Sequence, residues 1–250
     1  MGRVASAPTL WRLTPQASVL LIIAAIAWVT IITWTQLSGS MSSNMGLELP
    51  AFLVAWTVMM MAMMLPSVAP VASLYARSIV QHRRRRLALF TAGYLVVWAA
   101  AGVLAFALGA LIAGLAEANP SLGVAAGVGA YLACGLYQIS PLKYRCLQHC
   151  RSPLSLLFKY TSYQGSLRDF RVGLHHGAYC LGCCWALMVV LLALGAMSVV
   201  PMLILAAVVI TEKLWSKDES FSRLVGLVCL ALAVATVWIP GLAPGFQPSM

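Results

Sequence analysis

Seven apolar runs dominate this chain, at roughly 18–37, 50–71, 88–112, 121–141, 177–195, 199–214 and 222–239. A bilayer core about 30 Å thick is crossed by about 20 apolar residues in helical form. No water is available there for backbone N–H and C=O groups, so such a run satisfies its own hydrogen bonds as a helix. The expected fold class is all-α, a polytopic transmembrane helical bundle of about seven spans. It forms one integral membrane domain over residues 1–250, with a cytoplasmic loop at about 142–176. Composition agrees, with 62% hydrophobic and 9% charged residues, where soluble domains carry about 25% charged. The sixth run is the shortest, and only Gly195-Ala196-Met197-Ser198 separates it from the fifth.

Basic residues then orient the bundle, because Lys and Arg concentrate in cytoplasmic loops. With the N-terminus inside, the inner segments carry Arg3 and Arg12, then Arg77 and Arg83–Arg86, then Lys143, Arg145, Arg151, Lys159, Arg168 and Arg171, and then Lys213, Lys217 and Arg223. The segments left outside, 38–49, 113–120, 196–198 and 240–250, hold no Lys or Arg. Merging the fifth and sixth runs would strand Lys213 and Lys217 on the far side, so the charge pattern asks for seven spans and an outside C-terminus. The same topology accounts for the net charge of +10 through loops anchored at an anionic leaflet, and argues against a nucleic-acid partner. The first run lacks a small-residue cleavage site and reads as a retained helix rather than a signal peptide. None of the seven Cys falls in an outside loop, which argues against a structural disulfide framework.

The chemistry gathers at His175-His176-Gly177-Ala178-Tyr179-Cys180-Leu181-Gly182-Cys183-Cys184-Trp185, where the fifth run opens. Residues three and four apart share a helix face, which lines up His176, Cys180, Cys183 or Cys184, and Met188. Imidazole, thiolate and thioether together favour Cu(I), and thiolate with imidazole also suits zinc. Single Cys and Met residues are ordinary core fillers, but three Cys within five residues beside two His is denser than packing requires. The second run adds Met59-Met60-Met61-Ala62-Met63-Met64-Leu65-Pro66. Here Met60, Met63 and Met64 share a face, and Pro66, unable to donate to the Ala62 carbonyl, should kink the helix. Thioethers specify packing weakly, so this stretch is a candidate site or path for a soft cation. Cys146, His149 and Cys150 form a third cluster that faces one way if that segment is helical; a closed zinc site there would need His175 or His176 to join.

Depth connects the clusters. Counted from the cytoplasmic helix ends at about 1.5 Å per residue, Met63, Met64, Cys134, Cys183, Cys184 and Cys229 all fall roughly 10 Å below the inner surface. Gln138 and Glu212, polar residues near the membrane interior, are candidates to orient a ligating histidine. Glu212 has the simpler alternative of pairing with Lys213 or a loop arginine. Met41 and Met45, in the first outside loop, read as incidental. Gly93, Gly102 and Gly109, and then Gly123, Gly127 and Gly135, read as close-packing surfaces of the third and fourth spans. The stretch through Phe158, Tyr160 and Phe170 reads as an interfacial amphipathic segment.

The motifs Met59 to Pro66, Tyr137-Gln138-Ile139-Ser140-Pro141-Leu142-Lys143, Cys146-Leu147, Cys150-Arg151-Ser152-Pro153, Gly173-Leu174-His175-His176-Gly177, Cys180-Leu181-Gly182-Cys183-Cys184-Trp185 with Met188, Gly195-Ala196-Met197 and Glu212-Lys213 resemble a bacterial domain-of-unknown-function family of predicted metal-binding integral membrane proteins. The likeness runs from about Leu53 to Trp215. It implies a multi-pass metal-binding protein of the bacterial inner membrane and supplies no reaction.

Three function classes follow. The first is a soft-metal protein in the lipid bilayer, copper before zinc, engaged in metal handling, transfer or insertion with a donor or acceptor protein. Its expected ligands are Cys180, Cys183 and Cys184 with His175 or His176 and the thioethers of Met60, Met63 and Met64. The second is a membrane oxidoreductase, either a copper enzyme or a thiol protein using Cys180 and Cys183 as a C-x-x-C pair with a quinone. The third is a metal transporter, for which no inverted repeat is apparent and Glu212 alone stands for a charged relay.

Overall fold

The computed structural model describes residues 15–38, 47–79, 81–151, 165, 167–196, 198–215 and 219–247. Among the described residues the elements are all helical: α1 Pro15–Ser38, α2 Leu49–Ser78, α3 Arg83–Ala118, α4 Pro120–Gln138, α5 Pro141–Arg151, α6 Arg168–Ala193, α7 Val199–Ile210 and α8 Ser220–Trp238. Helix α7 runs on into a π-helical turn, Thr211–Trp215, and single 3-10 turns at Pro240–Leu242 and Pro244–Phe246 follow α8. Met41, Met45, Phe158 and Tyr160 lie outside the described residues.

Six of these helices, α1 to α4, α6 and α8, are long and apolar enough to cross a membrane. The remaining expected span is the sixth, the short one: α7 has 12 residues and its π turn five more, a rod of about 25 Å at the helical rise. The loop expected over 142–176 is largely helical where it is described. Helix α5 fills its start and α6 begins at Arg168, so His175 and His176 stand inside a helix.

The bundle is apolar on its outside as well as its inside. Ile22, Ile26, Leu104, Leu111, Leu224 and Val234 are all more than half exposed, which suits hydrocarbon and would be costly in water. Burial singles out the two central helices. In the apolar windows of α2 and α6, 61% and 67% of residues are buried, against 22% in α1 and 28% in α3 and α8. Those are the helices that carry the methionine run and the Cys-rich motif.

Helix α6 is positioned by two contacts. At its start, Asp169 accepts a fork of hydrogen bonds from Arg86 at 2.9 to 3.1 Å and another from the Tyr75 hydroxyl, which ties α6 to the ends of α2 and α3. One turn further on, Gly173 of α6 and Gly93 of α3 meet so closely that a Cβ on either would run into the opposing backbone carbonyl, Phe90 or Phe170. Only glycine permits that approach, and it brings Tyr94 of α3 against the Cys180 turn of α6. A similar glycine contact, Gly135 with Gly226, joins α4 to α8. Helix α5 lies along α6, and the π turn packs on α5.

Candidate metal centre

The Cys-rich turn of α6 and the short helix α5 form one cluster. Cys183, buried at 2% exposure, has its Sγ 3.8 Å from the Cys150 Sγ of α5 and also interacts with the thiols of Cys180 and Cys184. Two thiolates at about 2.3 Å from a common metal and at a tetrahedral angle stand about 3.8 Å apart. Cys146, one turn before Cys150, lies beside Gly182. The two sulfur groups that are 33 residues apart in sequence therefore share one pocket of the fold. Burial pushes the Cys146 thiol up, and its bond to Cys183 followed by burial pushes Cys150 up well beyond the usual thiol range. A metal taken up by these thiols displaces protons.

Each α6 thiol already has a protein partner. Cys183 and Cys184 donate to the Cys180 carbonyl at 3.1 and 2.9 Å. The Cys180 Sγ turns the other way, 3.0 Å from the Tyr94 hydroxyl and 2.9 Å from the Lys213 ammonium. Among the described residues no three His, Cys, Asp or Glu side chains are set as a ready metal cage. Ligation requires thiols to rotate off these partners.

His176 stands one turn before Cys180, 3% exposed, with its ring 6.0 Å from those of Phe90 and Tyr94. Its Nδ1 is buried without a hydrogen-bond partner. Leaving such a group unsatisfied costs about 1–3 kcal/mol, so the orphaned imidazole nitrogen, one turn before Cys180 on the same helix, is a candidate soft-metal ligand. The other two histidines gather at the rim. His149 stacks face to face on Tyr179 at 4.3 Å and donates from Nδ1 to the Arg145 carbonyl at 3.0 Å, while His175 packs on the same ring at 4.9 Å.

On α2, Met59, Met60, Met63 and Met64 are fully buried, and the helix continues through Pro66 and Pro70. Ser67 follows Met63 and Met64 by one turn and Met60 by two, so it belongs to their stripe. Its hydroxyl donates to the Met64 carbonyl at 2.9 Å and contacts the Lys213 ammonium at 3.2 Å. Lys213 therefore stands between the thioether stripe and the Cys180 thiol.

Gln138 and Glu212 are together but do not hold a histidine. Glu212, 2% exposed, pairs with Lys143, 1% exposed, at 2.7 and 2.8 Å, and Gln138 donates to the same carboxylate at 3.1 Å. Arg151 bonds the Glu212 backbone carbonyl at 2.7 Å. Glu212 thus takes neither Lys213 nor an arginine side chain as its ion-pair partner, because α5 brings Lys143 directly under it. Cys134 and Cys229 pair with each other across the α4–α8 seam, with Sγ atoms 3.5 Å apart. The sulfur layer expected from depth therefore resolves into two groups. Sequence reasoning missed Lys213, Tyr94 and Ser67 as neighbours of the thiols. For Lys213 the available signal was its place at the inner end of an apolar run, where ionisable residues mark function.

A family model described as PpoB2, copper chaperone, matches residues 53–236, a stretch that contains every residue of this cluster. Neither a curated protein nor a solved structure gives a significant match.

Proposed function

The chain belongs to the PpoB2 copper chaperone family, and we propose that it carries copper as Cu(I) on the thiols where α5 meets α6. Cys183 and Cys150 are the central ligands, joined by Cys180 and by His176, with Cys184 one residue beyond and Met60, Met63 and Met64 offering weaker thioethers on α2. The observation that carries this reading is the convergence of Cys150 on Cys183 at 3.8 Å, with an unpartnered buried imidazole, His176, one turn before Cys180 on the same helix. Soft donors of this kind select Cu(I) over harder ions, with zinc as the competing occupant.

Six helices of spanning length and composition support a membrane location for the protein. Its one-sided basic residues put the N-terminus and α5 on the cytoplasmic face, of the inner membrane in a bacterium, and α7 with its π turn completes seven crossings. The rim histidines His149 and His175 with Cys146 receive the ion, and Cys150 and Cys183 hold it until an acceptor protein takes it.

Copper content of protein purified without chelators tests the reading. Near-stoichiometric copper is expected in the wild type and its loss in Cys183→Ser and Cys180→Ser. Protein without copper, and unchanged by either substitution, would overturn it.

A further inference from the structure

Lys213 is 8% exposed, and its ammonium meets no carboxylate among the described residues. The ion pairs among the described residues are Arg86–Asp169, Lys143–Glu212 and Arg223–Glu219. Its sequence neighbour Glu212 is committed to Lys143 and Gln138. The π turn separates the two side chains, sending Glu212 toward α5 and Lys213 toward the gap between α2 and α6. In that gap the ammonium holds the Cys180 sulfur at 2.9 Å and the Ser67 hydroxyl at 3.2 Å. Met60, Met63 and Met64 precede Ser67 by one to two turns on α2, and Cys183 and Cys184 follow Cys180 by one turn on α6. The ammonium thus joins the two helices that carry the soft donors, where a soft cation belongs, and a cation is already there.

Burying an ammonium without a carboxylate is strongly unfavourable unless other groups take its charge. Here the sulfur and the hydroxyl are what the fold supplies. An incoming Cu(I) carries the same charge and needs the same sulfur. Two like charges within about 4 Å in a poorly polarisable interior repel strongly, so both cannot stay on Cys180. The lysine stem is flexible and lets the ammonium swing aside without moving the helix.

We propose that Lys213 is the resident cation of this site: it stands on Cys180 in the empty protein, gives way to the entering copper, and by returning sets how readily the metal is released. This rests on the copper site proposed above and adds that the site is built for exchange rather than retention.

The test is the half-time of copper transfer from loaded protein in lipid nanodiscs to a soluble Cu(I) chelator. Lys213→Leu removes the charge without adding a thioether, and its release should be slower than wild type by at least about tenfold, with copper stoichiometry unchanged. Lys213→Ala should be slow as well, and ethylammonium, which refills the space with the same charge, should restore fast release. An unfolding midpoint for each variant separates a charge effect from misfolding, and the ethylammonium arm decides the matter if Lys213→Leu folds poorly. Release from Lys213→Leu as fast as from wild type, or Lys213→Ala unresponsive to ethylammonium, overturns the role of Lys213 alone. Wild type, Lys213→Leu and Cys183→Ser all equally empty of copper overturns the site itself and this inference with it.

Discussion

Lys143 and Lys213 are both sealed inside the bundle, at 1% and 8% exposure, yet they end on different chemistry. Lys143 closes on Glu212 with two short bonds and Gln138 completes the group. Lys213 closes on a thiol and a hydroxyl. Each stands near a pair of sulfurs, Cys134 and Cys229 for the first and Cys150 and Cys183 for the second. The charge of Lys143 is answered within the protein, so the thiols near it face no unsettled cation. Among the described residues the charge of Lys213 is answered by a hydroxyl and by a thiol that a metal also wants. A bundle with the same residue types thus contains a structural half and an exchange half, and the difference lies in whether the lysine has a carboxylate.

The sharpest way to break that contrast is copper content. Cys183→Ser is expected to lose essentially all copper, whereas Cys134→Ser and Cys229→Ser should keep near wild-type amounts by elemental analysis of purified protein. Equal loss from Cys229→Ser would merge the two halves into one site.

Next in size is the stability of the structural half. Glu212→Gln leaves Lys143 buried without its anion, and breaking a buried pair in this way costs about 3–5 kcal/mol. Reversible unfolding in detergent should show this loss, and adding Lys143→Leu to the same chain should recover much of it. A Glu212→Gln protein as stable as wild type would mean that the pair is not sealed.

The helix crossing that sets the exchange half gives a smaller effect. Gly173→Ala places a Cβ against the Phe90 carbonyl and should cost about 1–3 kcal/mol, as overpacking does. Gly129→Ala, where nothing lies within 4 Å, should be neutral or slightly stabilising through helix propensity. Because Gly173 aligns Tyr94 with Cys180, its variant should also lower copper content, which Gly129→Ala should not.

Met63→Leu is expected to move least. It keeps volume and should cost under about 1.5 kcal/mol, while removing a thioether from the stripe that faces Lys213. A fall of severalfold in copper affinity with little change in stability would mark Met63 as a ligand; unchanged affinity would leave the stripe as packing.

Much of this was legible in the chain, and the limits have physical causes. Apolar runs marked six spanning helices because length and hydropathy are local properties. The remaining run, the sixth, was readable as apolar, but its helix ends in a π turn that no periodicity announces. The facing of Cys146, His149 and Cys150 followed from their spacing once α5 is helical. What spacing does not carry is the partner across the fold. Lys143 and Lys213 read as loop charges on the cytoplasmic side, and nothing near them announced a carboxylate 69 residues away for one or a thiol 33 residues away for the other. Gln138 and Glu212 were correctly singled out as interior polar groups. Their partner is Lys143 rather than His176, because α5 folds back beneath them, and a segment expected as loop gave no sign of that.

Copper K-edge X-ray absorption of the loaded protein tests the central claim most directly. Copper held between α5 and α6 predicts a first shell dominated by sulfur at about 2.3 Å, as for other thiolate-bound metals, in the wild type, and no copper edge above background in Cys183→Ser. A wild-type first shell of nitrogen and oxygen alone, or a copper edge retained in Cys183→Ser, would contradict it.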